Sequence, residues 1–386
     1  MKFNTYIMED VLEAIIDYRG KTPQKSESGI PTLSAKTVKN NYIDYNNCYY
    51  ISQEEYNCFM VRGFPKKGDI LLTTEAPLGM VAKLDRDDIA IAQRLLTLRG
   101  KANILDNDYL LYFLQSTKGQ HLLKSHETGT TVTGIKQAVF RKLEISIPDI
   151  EDQRKIATIL SSLDSRISLN TAINENLEQQ AQALFKNLIA DIQERVPFTS
   201  VIQVLGGGTP KTGKQEYWNG EIPFFTPKDV GAPYVLTTEK SITPLGLDNC
   251  NSRLYPVNTV FLTARGTVGK VSLAGVPMSM NQSCYALAGK DGLHQIIVYH
   301  YVLETVKALK HKASGAVFDA IITRDFDTES VPALSSEQID SFIAVAEPIY
   351  SDILNRTIEN QRLAALRDTL LPKLMNGEID VSAVKI

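Results

Sequence analysis

The chain contains two copies of one sequence pattern, and this repeat constrains its fold more than any other feature. Segments match in pairs, in unchanged order, at an offset of about 190 residues. The matching pairs are "VLEAIIDYRGKTP" (11–23) with "FTSVIQVLGGGTP" (198–210), "GIPTLSAKTV" (29–38) with "EIPFFTPKDV" (221–230), "DILLTTEAPLGMVAKL" (69–84) with "TVFLTARGTVGKVSLA" (259–274), and "AQRLLTLRGK" (92–101) with "NQSCYALAGK" (281–290). Two weaker pairs follow, 143–153 with 328–338 and 173–179 with 358–364. The repeat therefore predicts two versions of one folded unit.

Each copy begins with a mixed pattern of strands and helices. Segments such as "KKGDILLT" and "YPVNTVFLT", bounded by Gly, Pro and Asn, predict short strands. Helices are predicted over 107–124 and 293–312. The pattern changes after Pro148 and again after Pro332, where a long helical stretch follows in each copy.

The two long stretches carry apolar residues at alternating spacings of three and four, which is typical of helices that pack in pairs. The first stripe comprises Ile156, Leu160, Leu163, Ile167, Leu177, Ala181, Leu184 and Leu188, with Asn170 and Asn174 in its middle. The second comprises Ile339, Phe342, Ala346, Ile349, Ile353, Leu363, Leu370 and Leu374. Each stripe needs a partner, and the two helices are predicted to pair as a coiled coil about 60 Å long. An ordinary helical hairpin that fills a core is the alternative.

The predicted fold class is α+β, with two pseudo-symmetric domains separated by two long antiparallel helices that form a coiled coil. The predicted boundaries are 1–148 for the first domain, 149–195 for a central spacer helix, 196–332 for the second domain and 333–386 for a C-terminal spacer helix.

Composition excludes several classes of protein. With 43% hydrophobic and 22% charged residues and no long apolar run, the chain is predicted to be globular, outside the membrane and cytoplasmic. The four cysteines and five histidines are dispersed, so no metal site or disulfide framework is predicted. The net charge of −3 does not by itself favour a nucleic-acid partner, although basic residues can still cluster on one face.

The stretch "LTARGTVGKVS" (262–272) has the glycines and lysine of a phosphate-binding loop, but the full pattern fails at Ala264 and Val271. Its counterpart in the first copy, "LTTEAPLGMVA", lacks the lysine. Both copies retain a strand, a threonine, a short turn, a glycine and a second strand. We therefore predict a hairpin that presents its tip to a partner, with Arg265 and Lys270 in one copy and Glu75 in the other.

No motif for covalent chemistry accompanies these segments, so no catalytic residue, cofactor or metal ligand is predicted. Basic and hydroxyl side chains instead occur at matched places in both copies, where they suit contacts to phosphates and base edges. The candidate DNA-binding residues are Lys21, Thr22, Lys36, Thr74, Arg94, Thr131 and Lys136 in the first copy and Thr209, Lys211, Lys228, Arg265, Thr267 and Lys270 in the second.

The arrangement resembles the specificity subunit of type I restriction-modification systems across essentially the whole chain. The resemblance is carried by the "GKTP" and "GGTP" turns, "IPTLSAKTV" with "IPFFTPKDV", "TTEAPLGMV" with "TARGTVGKV", and the helices "IPDIEDQRKIATILSSLD" and "ENQRLAALRDTLLPKLMNGEI". It implies two target-recognition domains that each read half of a bipartite sequence in double-stranded DNA, and two helices that set the spacing of the half-sites. It also implies a non-catalytic subunit that recruits methyltransferase subunits and ATP-driven restriction subunits.

Two other hypotheses remain open from the residues alone. A duplicated coiled-coil scaffold that binds only proteins would show no loss of DNA selectivity when Lys228, Arg265 or Lys270 is replaced. A nucleotide-hydrolysing enzyme would turn over ATP. For the leading hypothesis, the acidic balance predicts that the subunit alone binds DNA weakly, with partner subunits supplying much of the phosphate contact.

Overall fold

A computed structural model gives the fold of residues 1–129, 133–231, 233–312 and 320–385. The chain divides into two compact units, unit 1 with Met1–Arg166 and Leu363–Ile386 and unit 2 with Ile167–Arg362. Each unit contains mixed sheets and parts of two 40-residue helices. The predicted domain boundaries, which separate the helices from the mixed domains, are a different division and stay a prediction.

Unit 1 is built from short strands and helices that lead into one long helix. Its elements are β1 (Phe3–Ile7), α1 (Met8–Val11), β2 (Leu12–Asp17), β3 (Ile30–Leu33), β4 (Val38–Lys39), β5 (Tyr42–Ile43), β6 (Tyr49–Ile51), α2 (Gln53–Phe59), β7 (Ile70–Thr73), β8 (Val81–Lys83), β9 (Ala90–Ile91), β10 (Leu95–Gly100), α3 (Asn107–Gln115), α4 (Thr117–Ser125), α5 (Gln137–Phe140), β11 (Glu144–Pro148) and the start of α6 (Ile150–Ile189).

Unit 2 continues α6 and repeats the series. Its further elements are β12 (Arg195–Pro197), α7 (Phe198–Val201), β13 (Ile202–Gly206), β14 (Trp218–Phe225), β15 (Tyr234–Val235), β16 (Ser241–Ile242), α8 (Pro244–Asp248), β17 (Val260–Thr263), β18 (Val271–Ala274), β19 (Ser279–Met280), β20 (Cys284–Gly289), α9 (Gln295–Lys312), α10 (Thr323–Asp327), β21 (Ser330–Pro332) and most of α11 (Ser336–Met375).

The strand orders of the two units match, which confirms the predicted repeat. The main sheet has the order β2-β10-β7-β8 in unit 1 and β13-β20-β17-β18-β15 in unit 2, where β15 is an additional edge strand. A second sheet has the order β6-β3-β9 in one and β16-β14-β19 in the other, and the pair β1-β11 corresponds to β12-β21. Leu12 pairs with Gly100 and Ile202 pairs with Gly289, so Leu12 and Ile202 occupy equivalent positions. The sequence alignment instead matches Leu12 with Thr199, three residues before Ile202.

The central strand of each main sheet is buried on both faces, which is why its sequence is a continuous apolar run. In β7, Ile70 and Leu72 face one core and Leu71 faces another. In β17, Val260 and Leu262 pack with α9, and Phe261 faces the opposite core. Each hairpin is thereby anchored in a rigid sheet.

The helix predicted over 107–124 is two helices, and this prediction was wrong at its centre. Ser116 has extended backbone angles and ends α3, and its hydroxyl accepts from Gly119 N, 3.1 Å away, to begin α4. A Cβ at Gly119 would lie 2.0 Å from the Phe113 oxygen, so the break depends on this glycine. The counterpart helix in unit 2, predicted over 293–312, is continuous as α9.

Both long helices begin where side chains cap them after a proline. Asp149 accepts from the N–H of Asp152 at 3.0 Å to start α6. At α11, the Ser335 hydroxyl accepts from Gln338 N at 3.2 Å, and the Gln338 side chain accepts from Ser335 N at 2.9 Å.

The long helices run antiparallel in each unit. In unit 1, Arg367 Nη1 lies 2.7 Å from Asp164 Oδ1, and Lys155, earlier on α6, donates to the carbonyl of Ser382, which follows α11, at 2.8 Å. In unit 2, rising numbers on α6 meet falling numbers on α11, from Asn170 against Asn360 to Phe185 against Phe342, whose ring centroids are 5.2 Å apart. The predicted coiled-coil pairing is confirmed. One stripe residue was assigned wrongly, because Leu184 is 42% exposed and Phe185 takes the buried position.

Within the parts of the chain that the structure covers, no helix combines the length and apolar character needed to cross a membrane.

Candidate nucleic-acid interface

The two hairpin tips have the same internal support, a buried threonine at the end of the first strand. The hydroxyl of Thr73 accepts from the backbone N–H seven residues on at 2.9 Å and donates to the carbonyl four residues on at 2.6 Å. The hydroxyl of Thr263 makes the same two bonds, accepting at 3.0 Å. Both side chains are fully buried. The threonine that both copies share thus fixes the shape of the turn.

A glycine closes each turn in the left-handed region of backbone conformation. Gly79 has φ +92° and Gly269 has φ +74°, and their N–H groups donate to Thr73 and Thr263 oxygens at 3.0 and 2.9 Å. The N–H groups of Gly269 and Lys270 are therefore both occupied by Thr263. They cannot cradle a phosphate as the N–H groups of a nucleotide-binding loop do.

Each tip is joined to the same two neighbouring segments. In unit 1, Thr74 N donates to Arg94 O at 3.0 Å, and Ile135 N donates to Thr74 O at 3.0 Å. The equivalent bonds in unit 2 run from Ala264 N to Ser283 O at 2.8 Å and from Ile321 N to Ala264 O at 2.9 Å. We call this surface the tip surface. It comprises residues 74–79, 92–94 and 133–136 in unit 1 and residues 264–269, 281–283 and 320–322 in unit 2.

The exposed side chains of the tip surface differ between the units although the backbone is shared. Glu75 in unit 1 corresponds to Arg265 in unit 2, and Arg94 corresponds to Ser283. Lys136 corresponds to Ile322, which is 48% exposed. A constant scaffold that carries different exposed side chains is the arrangement expected of an element that recognises different partners.

In unit 1 the tip surface gathers arginines around one carboxylate. Glu75 Oε1 lies 2.8 Å from Arg94 Nε, and Glu75 Oε2 lies 3.4 Å from Arg19 Nη2. Arg62 extends the cluster, because its Nη1 donates to the carbonyls of Asp17 and Arg19 at 3.1 and 3.0 Å. The side chains of Arg19 and Arg94 are about half exposed.

In unit 2 the tip surface carries an exposed arginine and a hydroxyl network. Thr267 donates to the carbonyl of Pro227 at 3.1 Å, and Thr209 donates to the Gln282 side chain. This brings the "GGTP" turn and the loop before Lys228 to the tip. Lys228 itself is highly exposed, and its Nζ lies 3.5 Å from Glu239 Oε2.

The structure brings only some of the predicted residues together. Thr74, Arg94 and Lys136 lie on the tip surface of unit 1, and Arg265 and Thr267 lie on that of unit 2, with Thr209 in contact. Lys270 immediately precedes β18, the second strand of the hairpin, and Lys228 follows Pro227, the residue that Thr267 contacts. Thr74 is buried, so its side chain is not available to DNA.

The remaining predicted residues are apart from the tip surface or outside the described residues. Lys21, Thr22, Lys36 and Lys211 are exposed, and no hydrogen bond or ion pair among residues that the structure covers links their side chains to the tip surface. Thr131 lies outside the described residues.

Sequence reasoning missed Gln282, which belongs to the tip surface, and Arg19, which lies outside the ranges of that surface and contacts Glu75. Gln282 left a signal, because Gln93 occupies the matching position in the first copy. Arg19 left none, because its contact with Glu75 joins residues 56 positions apart.

Two further observations bear on chemistry. Across the described ranges, no three His, Cys, Asp or Glu side chains are grouped to hold a metal ion. Burial raises the pKa of the Cys284 thiol to about 12, which keeps this thiol protonated and unreactive at neutral pH.

The fold and the tip surfaces define a protein with two versions of one recognition unit and an antiparallel helix pair. The sequence profile of the type I restriction modification DNA specificity domain matches residues 2–179 and again residues 194–342. The chain therefore belongs to the type I restriction-modification DNA specificity family, and its two copies are that family's DNA specificity domains.

Relatives with described roles resemble the chain along most of its length. The HindI specificity subunit of Haemophilus influenzae is 24% identical over 81% of this chain and 87% of its own. The MjaIX specificity subunit of Methanocaldococcus jannaschii is 26% identical over 91% of this chain and 87% of its own. The crystal structure of the type I restriction-modification S subunit from M. genitalium shares the fold, with a TM-score of 0.62 and 15% identity over 97% of this chain and 96% of that one.

Proposed function

We propose that this chain is the non-catalytic DNA-specificity subunit of a type I restriction-modification complex and that each unit reads one half of a bipartite DNA target. The observation that carries the proposal is the tip surface, whose backbone bonds are the same in both units, while its side chains differ at the matched pairs Glu75 and Arg265, Arg94 and Ser283, and Lys136 and Ile322. Two readers of one design, with different side chains, suit a target made of two different halves.

The helices would set the spacing between the half-sites. A continuous helix of 40 residues is about 60 Å long, and both α6 and α11 have this length. Their pairing in a single register would give a fixed spacing.

The helices would also provide a docking surface for methyltransferase and restriction subunits. Each carries large apolar side chains that remain exposed although the helix pair is formed, and such side chains favour protein partners. These are Leu169 and Leu184 on α6 and Val345 and Leu366 on α11.

Sequencing of methylated bases in the genome, with the gene present and deleted, tests this function. The expected result is a split motif with adenine methylation in two defined halves at a constant gap, present only with the gene. A chain carrying Lys228→Gln, Arg265→Gln and Lys270→Gln should then lose selectivity in one half. Absence of any gene-dependent motif, or an unaltered motif in this variant, would contradict the proposal and favour a scaffold that binds only proteins.

A further inference from the structure

The arginine cluster of unit 1 has the geometry of a base-reading site. We propose that Arg94 reads a guanine in the half-site bound by unit 1 and that Glu75 is the positioning residue that aims it. The inference rests on the proposed function and adds the base and the residues.

Glu75 uses its two oxygens to hold two different arginines. Oε1 pairs with Arg94 Nε at 2.8 Å and Oε2 approaches Arg19 Nη2 at 3.4 Å. The shortest contact of this ion pair is at Nε, and among the described residues no hydrogen bond occupies the two terminal Nη groups of Arg94, which can donate in parallel. Two parallel donors match O6 and N7 of guanine in the major groove, the most frequent specific contact of arginine with DNA.

Both members of the pair are fixed at the backbone. The Arg94 carbonyl accepts from Thr74 N at 3.0 Å, and Glu75 pairs with Gly134 as in antiparallel strands. Glu75 is only 18% exposed, so its carboxylate is confined beside the guanidinium. A reading side chain needs this kind of support, since precise placement decides base discrimination.

Arg94 also adopts a backbone conformation that a non-glycine residue seldom takes, with φ +70°. The counterpart Ser283 does not share the positive φ, so the unusual conformation belongs to the copy that has the arginine. The Arg94 side chain is about half exposed, so its ion pair with Glu75 contributes little to stability and does not by itself offset the cost of this conformation. A role in which the Arg94 side chain is directed toward a base explains why this backbone conformation is kept.

The two units are thereby assigned different chemistry. Ser283 cannot make the two-donor contact, and Arg265 occupies the place of Glu75. A guanine contact of the Arg94 type is assigned to the unit 1 half-site alone.

The test is the methylated motif of cells that express the full chain with the methyltransferase subunits of its system. Wild type, Arg94→Gln, Arg94→Lys and Glu75→Gln are compared, and Arg265→Gln identifies the half read by unit 2. Arg86→Gln is the matched control, because Arg86 is also an exposed arginine of unit 1 paired with a carboxylate, that of Asp88, beyond the other end of the hairpin.

Arg94→Gln is expected to abolish a preference for guanine at one position of the unit 1 half, a discrimination of about 5-fold to about 150-fold in wild type. Arg94→Lys should retain part of it, since lysine is a point charge without the planar pair of donors. Glu75→Gln should weaken the same position and no other, and Arg86→Gln should change nothing.

A motif unaltered in Arg94→Gln would overturn the inference, as would a unit 1 half without guanine. Reduced methylation with unchanged base preference, in a variant that denatures in urea as the wild type does, would also overturn it, because that result indicates that Arg94 contacts a phosphate and not a base. A wild-type chain that directs no split motif would instead contradict the proposed function itself, so the two failures are distinguishable.

Discussion

At the scale of single residues, one buried threonine decides whether each hairpin keeps its shape. Thr263 binds the N–H groups of both Gly269 and Lys270, through its carbonyl and its hydroxyl. Valine has almost the same shape as threonine but cannot accept a hydrogen bond. Replacing the hydroxyl therefore leaves a backbone donor without its partner.

We expect Thr263→Val to lower the free energy of unfolding by about 1–3 kcal/mol, the usual cost of an unpaired buried group. Thr73→Val should cost a similar amount because its bonds are equivalent. Urea denaturation of the purified chain measures both. The control is Thr237→Val, because Thr237 is exposed. Equal free energies of unfolding for Thr263→Val, Thr73→Val and Thr237→Val would show that the two buried hydroxyls do not stabilise the hairpins.

His300 predicts a dependence of stability on pH. Burial lowers its pKa from 6.5 to about 3, and its ring stacks on Phe185 and lies 3.1 Å from the Tyr350 hydroxyl. The folded chain thus keeps this histidine neutral at pH values where the unfolded chain protonates it. Between about pH 6.5 and about pH 3 the unfolded state binds more protons here, so stability falls as the pH falls.

The expected loss from His300 is about 1.4 kcal/mol for each pH unit below about 6.5. Urea denaturation at pH 7 and pH 5 measures it, with His300→Phe as the comparison that removes the titrating group. The variant should lose less stability over this interval than the wild type. Equal losses would show that His300 does not carry the dependence.

At the scale of elements, the sequence predicted the two long helices and α9 correctly, and it missed the break within the helix predicted over 107–124. A proline followed by a sustained apolar stripe indicated α6 and α11, because these signals are local. The break at Ser116 was missed, since it depends on a serine cap and on the close approach of Gly119 to the preceding helix. The predicted stripe places Leu184 at the contact between the helices, where the structure has Phe185. The reason is that alternating spacings of three and four residues average 3.5 residues per turn, which departs gradually from the 3.6 residues per turn of a straight α-helix.

The asparagines in the middle of the stripe form a polar layer in unit 2. Asn170 is fully buried, and its amide donates to Glu359 Oε2 at 2.8 Å and to Asn360 Oδ1 at 2.9 Å. Its oxygen accepts from Arg356 at 3.2 Å. A shift of one helix along the other would bury these groups unpaired, so the layer favours one register.

Asn170→Ala is expected to lower the free energy of unfolding by about 1–3 kcal/mol, because groups on α11 lose their partner. Asn187→Ala is the control, since Asn187 is exposed on the same helix. Thermal or urea denaturation measures the free energy of unfolding of both variants. Equal values for Asn170→Ala and Asn187→Ala would show that the polar layer does not contribute to stability.

At the scale of the whole molecule, duplication made the architecture predictable. The matched segments led to two copies, and the order of four strands in the main sheet and of three strands in the second sheet agrees between the units. The composition of the tip surfaces was only partly predictable. Arg265 and Arg94 stood out as basic residues in matched segments, whereas the contact of Arg19 with Glu75 depends on the fold and has no sequence periodicity.

The central claim is that the two units read two halves of one DNA target independently. The most direct measurement is the methylated motif directed by wild type, Arg94→Gln, Arg265→Gln and the double variant, each with its methyltransferase subunits. The account predicts that each single variant alters one half only, that the halves differ, and that the double variant combines both changes at an unaltered gap. Two single variants that alter the same half, or neither half, would contradict it.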